Sequence, residues 1–423
     1  MRAGLFWATC VSICISLACV GETFGNVLLI LPRFDAAQVG PALVAPVVFA
    51  AICFWILQRS EFSFGYVVAF YFFWIVFGFL CLAPFSRLQY DHPLAIASAF
   101  ISGLMIVFLA SNGTRELPRF EIPVAVAKRL PDVFLLISAG AVIAAACYNF
   151  RLIAVTDIYR FRTDLEFPAP IRYANGIVLS ALLPLAFASY VELKRPVMAC
   201  AALALMLALY PITLTKFALL APFWLAFLFG LSRLFEARCA VIVSILFPVT
   251  LGLVALVVES SAHRSVYQVF GLINFRLAAI PSISLDVYNA FFANHAPTHF
   301  CQVGFIRAIV GCAYDPQLGV EIAQAYPLGN FNASMLSTEG VASVGVKWAP
   351  VSALICGTII AVASSMAARL PPRFVLLSSA MAVQQFINIP LTTALLSHGA
   401  GLLFLIWYLT PKRALIPATP GEA

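Results

Sequence analysis

Charge is scarce in this chain of 423 residues, because charged residues make up 10% of it and hydrophobic residues 63%. Soluble domains carry about 25% charged residues, so this composition excludes a soluble protein. Runs of about 17–25 apolar residues recur along the chain, and each is enough to cross a hydrocarbon core of about 30 Å. The composition therefore predicts a polytopic, all-α membrane protein.

Several short motifs of enzyme chemistry are also missing. The chain has no Cys-x-x-Cys pair and no H-E-x-x-H helix, so we expect no metal site. It has no G-x-G-x-x-G or phosphate-loop motif, so we expect neither a nucleotide donor nor any other cofactor. The net charge of +7 follows from cations clustered at one membrane face, so no nucleic-acid partner is expected.

Twelve membrane spans are predicted, with the last pair also readable as a re-entrant hairpin. They are Leu5–Val20, Pro41–Leu57, Phe64–Leu82, Pro93–Ala110, Val133–Ala154, Ile177–Val191, Pro196–Tyr210, Phe217–Leu234, Ala240–Val258, Ala349–Ala367, Phe374–Ile389 and Leu391–Leu409. Lipid cannot satisfy free backbone groups, so these spans are expected to be helices.

The positions of Lys and Arg predict the orientation of the spans. With both termini in the cytoplasm, more than half of the 25 cations fall at inner joints. These are Arg2, Arg59, Arg115, Arg119, Lys128, Arg129, Lys194, Arg195, Arg233, Arg238, Arg369, Arg373, Lys412 and Arg413. The first span is read as an uncleaved helix, because its flanks fit a signal peptide poorly.

This orientation divides the chain into three parts. Residues 1–258 carry nine spans and a basic outer loop at 151–172, and residues 349–423 carry the last spans and a cytoplasmic tail. Between them, Glu259–Trp348 forms an outer-face loop of about 90 residues, rich in aromatic and apolar side chains. We expect this loop to be partly helical, with a helix broken at Pro281 and resumed near Ser284.

Lys and Arg are normally depleted from the translocated face of a membrane protein, so cations that are found there suggest a specific function such as anion binding. Arg160, Arg162 and Arg172 fit two-point binding of phosphate, although nearby acids could instead pair with them. Lys216 opens the eighth span, where a helix N-terminus already favours anions, although it could simply extend to the interface.

The polar residues of the long loop suffice for anion binding and for general acid–base work. They are Arg264, Arg276, Arg307, His263, His295, His299, Asp286, Glu321 and Glu339. Arg276 has apolar flanks and therefore needs a partner, either Asp286 or Glu339 within the fold or a phosphate of a substrate. Cys301 and Cys312 can form a disulfide if this face is oxidising.

One stretch of the loop carries a resemblance to a known family. It reads Gly329-Asn330-Phe331-Asn332-Ala333 and continues to Glu339-Gly340-Val341-Ala342-Ser343-Val344-Gly345. It is similar to the Asn-rich segment, followed by acid-Gly-x-Ala and a Gly, that precedes a late span in bacterial oligosaccharide repeat-unit polymerases, the O-antigen polymerase class. An Arg followed by a Tyr–Phe stretch (Arg276, Tyr288, Phe291) and a cation opening a span (Lys216) agree with that class. Of the paired Arg-x15-Gly motifs of some members, only Arg160 to Gly176 is present.

The resemblance implies a glycosyltransferase that polymerises polyprenyl-pyrophosphate-linked repeat units at the outer face of the bacterial inner membrane. The residues expected to bind the substrate are Arg160, Arg162, Arg172, Lys216, Arg276, Tyr288, Asn330 and Asn332. Glu339 is the expected base, with Asp286 and His295 as alternatives, although Glu339 could equally cap a helix or pair with an Arg.

Other readings of the sequence stay open. An O-antigen ligase shares the long outer loop, and a transporter or flippase for lipid-linked sugars shares the many spans. A scaffold subunit of an export complex would have no individually essential loop residue. A flippase and a chain-length regulator are the protein partners that the polymerase reading implies.

Overall fold

The computed structural model describes residues 1–416 except 26–27, 29–30, 33, 35–37, 114–116, 119, 155–156, 159–160, 162–164, 262–267, 315–317 and 327–332. Most of the described residues lie in helices, and none of the described residues forms a strand. This confirms the predicted all-α architecture. Helices are expected there because apolar segments in lipid must satisfy their backbone groups internally.

Eleven helices of the described chain are long and apolar enough to cross a membrane. In chain order they are α1 (Arg2–Phe24), α2 (Val39–Arg59), α3 (Phe64–Phe85), α4 (His92–Asn112), α5 (Val124–Ala146), α6 (Ala169–Glu192), α7 (Pro196–Thr213), α8 (Lys216–Leu234), α9 (Ala237–Ser261), α10 (Gln268–Asn294) and α13 (Ala349–Ala367). The chain is therefore a multi-pass membrane protein.

The remaining helices are shorter. They are α11 (Gly304–Val310), α12 (Leu318–Ala325), α14 (Pro372–Phe386), α15 (Leu391–Ser397) and α16 (Ala400–Leu409). Helices α15 and α16 meet at a bend of 64° and make a twelfth span if they are counted together. A π-helical segment, Leu336–Ala342, precedes α13.

Most predicted spans fall on these helices, with three differences. The predicted fifth span began at Val133, whereas α5 begins at Val124 and contains Pro131. The predicted span Phe374–Ile389 falls on α14, which has 15 residues and a length of about 22 Å, short of a hydrocarbon core. Third, the segment Glu259–Trp348, which was expected to be entirely an outer loop, contains α10, a helix long and apolar enough to cross a membrane.

The chain forms two compact units. Unit 1 contains residues 1–113, 238–362 and 386–391, and unit 2 contains residues 114–237, 363–385 and 392–423.

Helix α3 is the centre of unit 1. All residues of Phe64–Leu82 are buried, as expected for a helix that is apolar on every side. Aromatic side chains fill the space around it, and Phe6 of α1 stacks on Phe73 with ring centroids 4.7 Å apart. Phe73 also stacks on Phe49 of α2 at 5.8 Å.

Three helices of unit 1 run in the same direction. Arg238, at the start of α9, donates to the carbonyl of Ser60, just before α3. Further along both helices, Ser244 and Tyr71 share a hydrogen bond of 2.9 Å. Cys14 of α1 lies 3.6 Å from Cys81 near the end of α3. Helices α1, α3 and α9 therefore finish at the same end, where the short joint 86–91 leads into α4; we call it the joint end of unit 1.

Unit 2 is arranged around α6, in which 78% of the residues of an 18-residue apolar stretch are buried. A π-helical turn, Val178–Leu182, interrupts the α-helical pattern of α6. Near the end of α6, Glu192 accepts two hydrogen bonds from Arg373 of α14, at 2.7 and 3.0 Å. This contact and the burial of both groups raise the stability of the pair above that of an exposed ion pair.

Candidate functional site

Helix α10 is the main element of the candidate site. It begins at Gln268 and continues to Asn294, so the predicted break at Pro281 is wrong. The part before the proline, Gly271–Ala279, is a π-helix, in which the N–H of Ile280 reaches the carbonyl of Phe275. This wider hydrogen-bond pattern lets the chain pass a proline that cannot donate an N–H.

The first half of α10 is held by a buried amide. Asn274 donates to Ser16 Oγ of α1 at 2.9 Å and to the Val249 carbonyl of α9 at 3.0 Å. Gly252 of α9 faces the same amide, and a Cβ there would overlap the Asn274 side chain. The missing side chain is therefore what allows α9 and α10 to approach so closely.

The second half of α10 is held against α3 by similar small residues. Ser282 Oγ donates to the Ile75 carbonyl at 3.0 Å, and Gly78 leaves the space that this hydroxyl occupies. All these partners belong to the middle or the final part of α1, α3 and α9. Helix α10 is therefore packed toward the joint end, although its length alone is enough to cross a membrane.

The chain around the π-helical segment packs in the same place. Ser98, in the first turns of α4, donates to the Val346 carbonyl at 2.6 Å. The N–H of Thr298 donates to the Ala342 carbonyl at 2.7 Å. Helix α10 and residues 333–346 together form what we call the end layer of unit 1.

Asp286 is the best-positioned acid of the end layer. It is 1% exposed, and its two carboxylate oxygens accept hydrogen bonds from Tyr90 Oη at 2.5 Å and from Ser86 Oγ at 2.9 Å. A buried carboxylate without donors is costly, and each hydroxyl here offsets part of that cost. The joint between α3 and α4 therefore supplies both donors that fix this carboxylate.

The same joint is closed by His92. Its Nδ1 lies 3.0 Å from the Ala83 carbonyl and its Nε2 lies 3.0 Å from the Leu88 carbonyl, so the ring bridges the two ends of the turn. The ring also stacks on Tyr90, with centroids 4.0 Å apart. Burial and the charge of Asp286 raise the pKa of the Tyr90 phenol, so Tyr90 remains a donor.

Glu339 is the second buried acid of the end layer. It is 2% exposed and lies in the π-helical segment, which is buried along its whole length. Thr338 Oγ1 donates to Glu339 Oε2 at 2.6 Å. Glu339 lies in the segment that leads into α13, and its predicted role, as base, as helix cap or as partner of an Arg, stays a prediction.

Arg276 differs from both acids. It is partly buried in the π-helical part of α10, and it makes neither a hydrogen bond nor an ion pair with any residue that the structure describes. Asp286 lies ten residues further on, about 15 Å along the helix, so it is not the partner of Arg276. The charge is therefore available for an anion, which would lower the cost of its partial burial.

Two other predicted residues lie on or beside α10. Tyr288 is 2% exposed and packs inside the end layer, and its predicted contact with substrate stays a prediction. His295 ends the helix and is exposed. Its Nδ1 lies 2.7 Å from the Phe291 carbonyl, which can only accept, so Nδ1 carries the hydrogen and Nε2 has the free lone pair of a neutral ring.

Cys301 and Cys312 are joined in a disulfide, as the sequence suggested. The bond closes a loop that contains α11, in which Ile309 is 81% exposed. Disulfides persist in oxidising compartments, and this favours the translocated side of a membrane for the loop.

The predicted cations of unit 2 lie at helix starts. Lys216 opens α8 as predicted, after the N-cap Thr215, whose Oγ1 accepts from the N–H of Ala218 at 3.3 Å. Arg172 is exposed in the first turns of α6, with its guanidinium 5.9 Å from the ring centre of Tyr173. Since Arg276 belongs to unit 1, the expectation that Arg172, Lys216 and Arg276 all bind the same substrate stays a prediction.

Four predicted residues lie outside the described part of the chain: Arg160, Arg162, Asn330 and Asn332. Burial and the charge of Asp286 raise the pKa of the phenol of Tyr326, which stands shortly before Asn330 in the sequence.

Sequence reasoning missed the residues that hold Asp286. Ser86 and Tyr90 stand in a short joint about 200 positions before Asp286, His92 follows at the start of α4, and no motif links them to Asp286. The one available signal was Ser-x-x-x-Tyr-x-His, a polar run between two very apolar spans. Among the described residues, no group of three or more His, Cys, Asp or Glu could hold a metal ion.

No family model, curated protein or solved structure matches the chain.

Proposed function

We propose that this protein is a glycosyltransferase that polymerises oligosaccharide repeat units carried on polyprenyl pyrophosphate, at the outer face of a bacterial inner membrane. The observation that carries the proposal is the end layer, which buries two carboxylates, Asp286 and Glu339, and leaves Arg276 without a partner among the described residues. Both kinds of group accelerate transfer from a pyrophosphate, a base by accepting the proton of the acceptor hydroxyl and a cation by stabilising the leaving group.

The orientation predicted from the positions of Lys and Arg supports the same face. If both termini are cytoplasmic, α1, α3 and α9 run outward, and the joint end lies at the outer surface. The disulfide between Cys301 and Cys312 favours the same side. A lipid-linked donor reaches such an end from the bilayer, and its sugars extend into water.

In the proposed reaction, the bond between the anomeric carbon of the growing chain and its pyrophosphate oxygen breaks. The electron pair leaves with the pyrophosphate, whose charge Arg276 stabilises. The hydroxyl oxygen of the incoming unit bonds to that carbon and gives its proton to a carboxylate. We assign this role to Asp286, because Tyr90 and Ser86 fix both of its oxygens.

The experiment is a glycan ladder from a deletion strain complemented with wild type or with Asp286→Asn. We expect both the deletion and the variant to lose long chains while single repeat units remain attached. Loss of all attached glycan would instead assign a ligase. Lipid-linked units accumulating on the cytoplasmic side would assign a flippase, and long chains in the Asp286→Asn strain would remove Asp286 from the mechanism.

A further inference from the structure

The ring of His92 faces two backbone carbonyls near the joint between α3 and α4. Its Nδ1 lies 3.0 Å from the Ala83 carbonyl oxygen, and its Nε2 lies 3.0 Å from the Leu88 carbonyl oxygen. A carbonyl oxygen can only accept, so each of these hydrogen bonds requires a hydrogen on the ring nitrogen. A neutral imidazole carries one such hydrogen, whereas the imidazolium ion carries two. The geometry therefore requires the positively charged ring.

The contacts of the ring face favour the same charge. The His92 ring stacks on Tyr90 with centroids 4.0 Å apart, and the π electrons of a phenol ring attract a cation placed on its face. The Tyr90 hydroxyl donates to the carboxylate of Asp286, so one phenol contacts both the ring and a buried negative charge. The second hydroxyl that donates to Asp286, from Ser86, is also neutral. An imidazolium therefore adds the positive charge that these donors lack, and this lowers the cost of burying the carboxylate.

The amino terminus of α4 opposes a positive ring, because His92 is the first residue of that helix and a helix dipole disfavours cations at this end. Asp91 offsets the dipole, since it is the N-cap residue and its carboxylate accepts from the N–H of Leu94 at 3.0 Å. Arg87, the other charged group of the joint, is exposed, so solvent and salt screen its repulsion. The two hydrogen bonds decide the outcome, because a hydrogen bond from a charged donor is stronger than a dipole effect at a helix end.

Two contacts connect the His92 ring to the donors of Asp286. Leu88, whose carbonyl accepts from the ring, donates its own N–H to Ser86 Oγ at 3.2 Å. Ser86 Oγ in turn donates to one oxygen of Asp286 at 2.9 Å. Tyr90, which stacks on the ring, donates to the other oxygen. A ring that lost one of its two hydrogens would release one carbonyl, and the donors of the carboxylate would lose part of their support.

We propose that His92 is an imidazolium in the active protein and that it is a positioning residue, which holds Ser86 and Tyr90 against the carboxylate of Asp286. The protonation state follows from the geometry of the joint, whereas the positioning role rests on the proposed function. The second hydrogen is lost as the pH rises, so His92 sets the upper end of the pH range of polymerisation. Asp286 sets the lower end, because a base has to be ionised.

The protonation state is tested by solid-state NMR of the wild-type protein in lipid bilayers, with an isotope label in the ring nitrogens of histidine. The chain has 5 histidines, and the signal that is missing from both His92→Gln and His92→Lys belongs to His92. We expect both nitrogens of His92 to carry a hydrogen at the pH at which polymerisation is fastest. A His92 nitrogen without a hydrogen at that pH would overturn the proposal.

The positioning role is tested by the pH–rate profiles of the same two variants, with melting temperatures as the check of folding. His92→Gln offers amide hydrogens without a charge, whereas His92→Lys keeps its charge to a higher pH. We expect kcat of His92→Gln to fall about 10-fold with little change in KM, the effect of one lost hydrogen bond from a charged donor. His92→Lys should keep a higher kcat than His92→Gln and move the basic limb of the profile to higher pH.

The contrary outcomes separate the positioning role from the proposed function. A basic limb at the same pH in wild type and in folded His92→Lys would overturn the positioning role of His92. A wild-type protein that has the imidazolium but does not extend lipid-linked repeat units would overturn the proposed function, and the positioning role with it. The protonation state of His92 would stand in that case, because the NMR measurement does not depend on activity.

Discussion

Asp286 and Arg276 lie on the same helix and differ in how their charges are satisfied. Asp286 receives hydroxyl hydrogens at both oxygens, whereas Arg276 contacts no acid in the described chain. A carboxylate that is fixed in this way loses little freedom when it accepts a proton in a reaction. A guanidinium without a partner among the described residues is instead a potential binding site for an anion.

Replacing Arg276 by Lys tests the need for two-point contact. The charge remains but the planar fork is lost, so we expect polymerisation to slow by about 10–100-fold, the effect of one strong charged hydrogen bond. The measurement is the rate of chain growth from purified lipid-linked units, at matched protein levels. Arg307→Lys, in the disulfide-closed loop, is the control and should keep its rate. Full activity of the Arg276→Lys protein would make Arg276 a general cation.

Removing the Tyr90 hydroxyl tests how Asp286 is positioned. Tyr90→Phe deletes one donor to the carboxylate, so we expect kcat to fall by about 10-fold while KM changes little. The donor stabilises the ionised carboxylate, and without it the acid limb of the pH–rate profile should move to higher pH. An unshifted profile would leave Tyr90 with a purely structural role.

A further substitution distinguishes the roles of the two buried acids, Asp286 and Glu339. Glu339→Gln keeps the shape of the side chain and removes its charge. Since we assign the base to Asp286, we expect Glu339→Gln to lower the rate far less than Asp286→Asn, which should lose about 100-fold or more. Chain-length distributions and initial rates of the two variants decide between them, and the reverse order would make Glu339 the base.

At the scale of elements, α10 depends on small residues of its neighbours. Gly252 admits the Asn274 amide, and Gly78 admits Ser282. In membranes, helices approach closely only where side chains are small, because apolar surface alone gives no preference over lipid. The position of Asp286 therefore depends on glycines that belong to other helices.

Gly252→Ala tests this dependence. A Cβ there would overlap the Asn274 side chain, so we expect a loss of about 1–3 kcal/mol in the free energy of unfolding, seen as a lower melting temperature and a lower rate. Gly230→Ala on α8 is the matched control, since a Cβ at Gly230 has no neighbouring atom within 4 Å among the described residues. If the two variants are equally stable, α10 can shift to accommodate the Cβ at Gly252 without a loss in the free energy of unfolding.

At the scale of the whole molecule, the orientation in the membrane decides whether the mechanism is available. We expect Ile309→Cys, in a background without the other free cysteines, to react with an impermeant thiol reagent in intact cells. Glu121→Cys, in the joint before α5, should react only after the membrane is opened. The opposite labelling would invert the topology and place the end layer away from its proposed substrate.

The sequence by itself determined the class of protein and the order of its spans. Apolar length and the scarcity of charge suffice for this, because lipid admits few other structures. It also predicted that Lys216 opens a helix and that Cys301 and Cys312 can pair, and the structure contains both features. Such features depend on neighbours along the chain or on a short loop.

Tertiary structure decided the rest. The start of α5 before Pro131 and the passage of α10 through Pro281 could not be read locally. The α5 helix continues through Pro131 in its interior, and a π-helical pattern precedes Pro281 in α10. The donors of Asp286 lie about 200 residues earlier, and only the packing of α10 against α3 brings them to it. Contacts between residues far apart in sequence are set by how helices pack, and the hydrophobic pattern that defines each helix does not specify them.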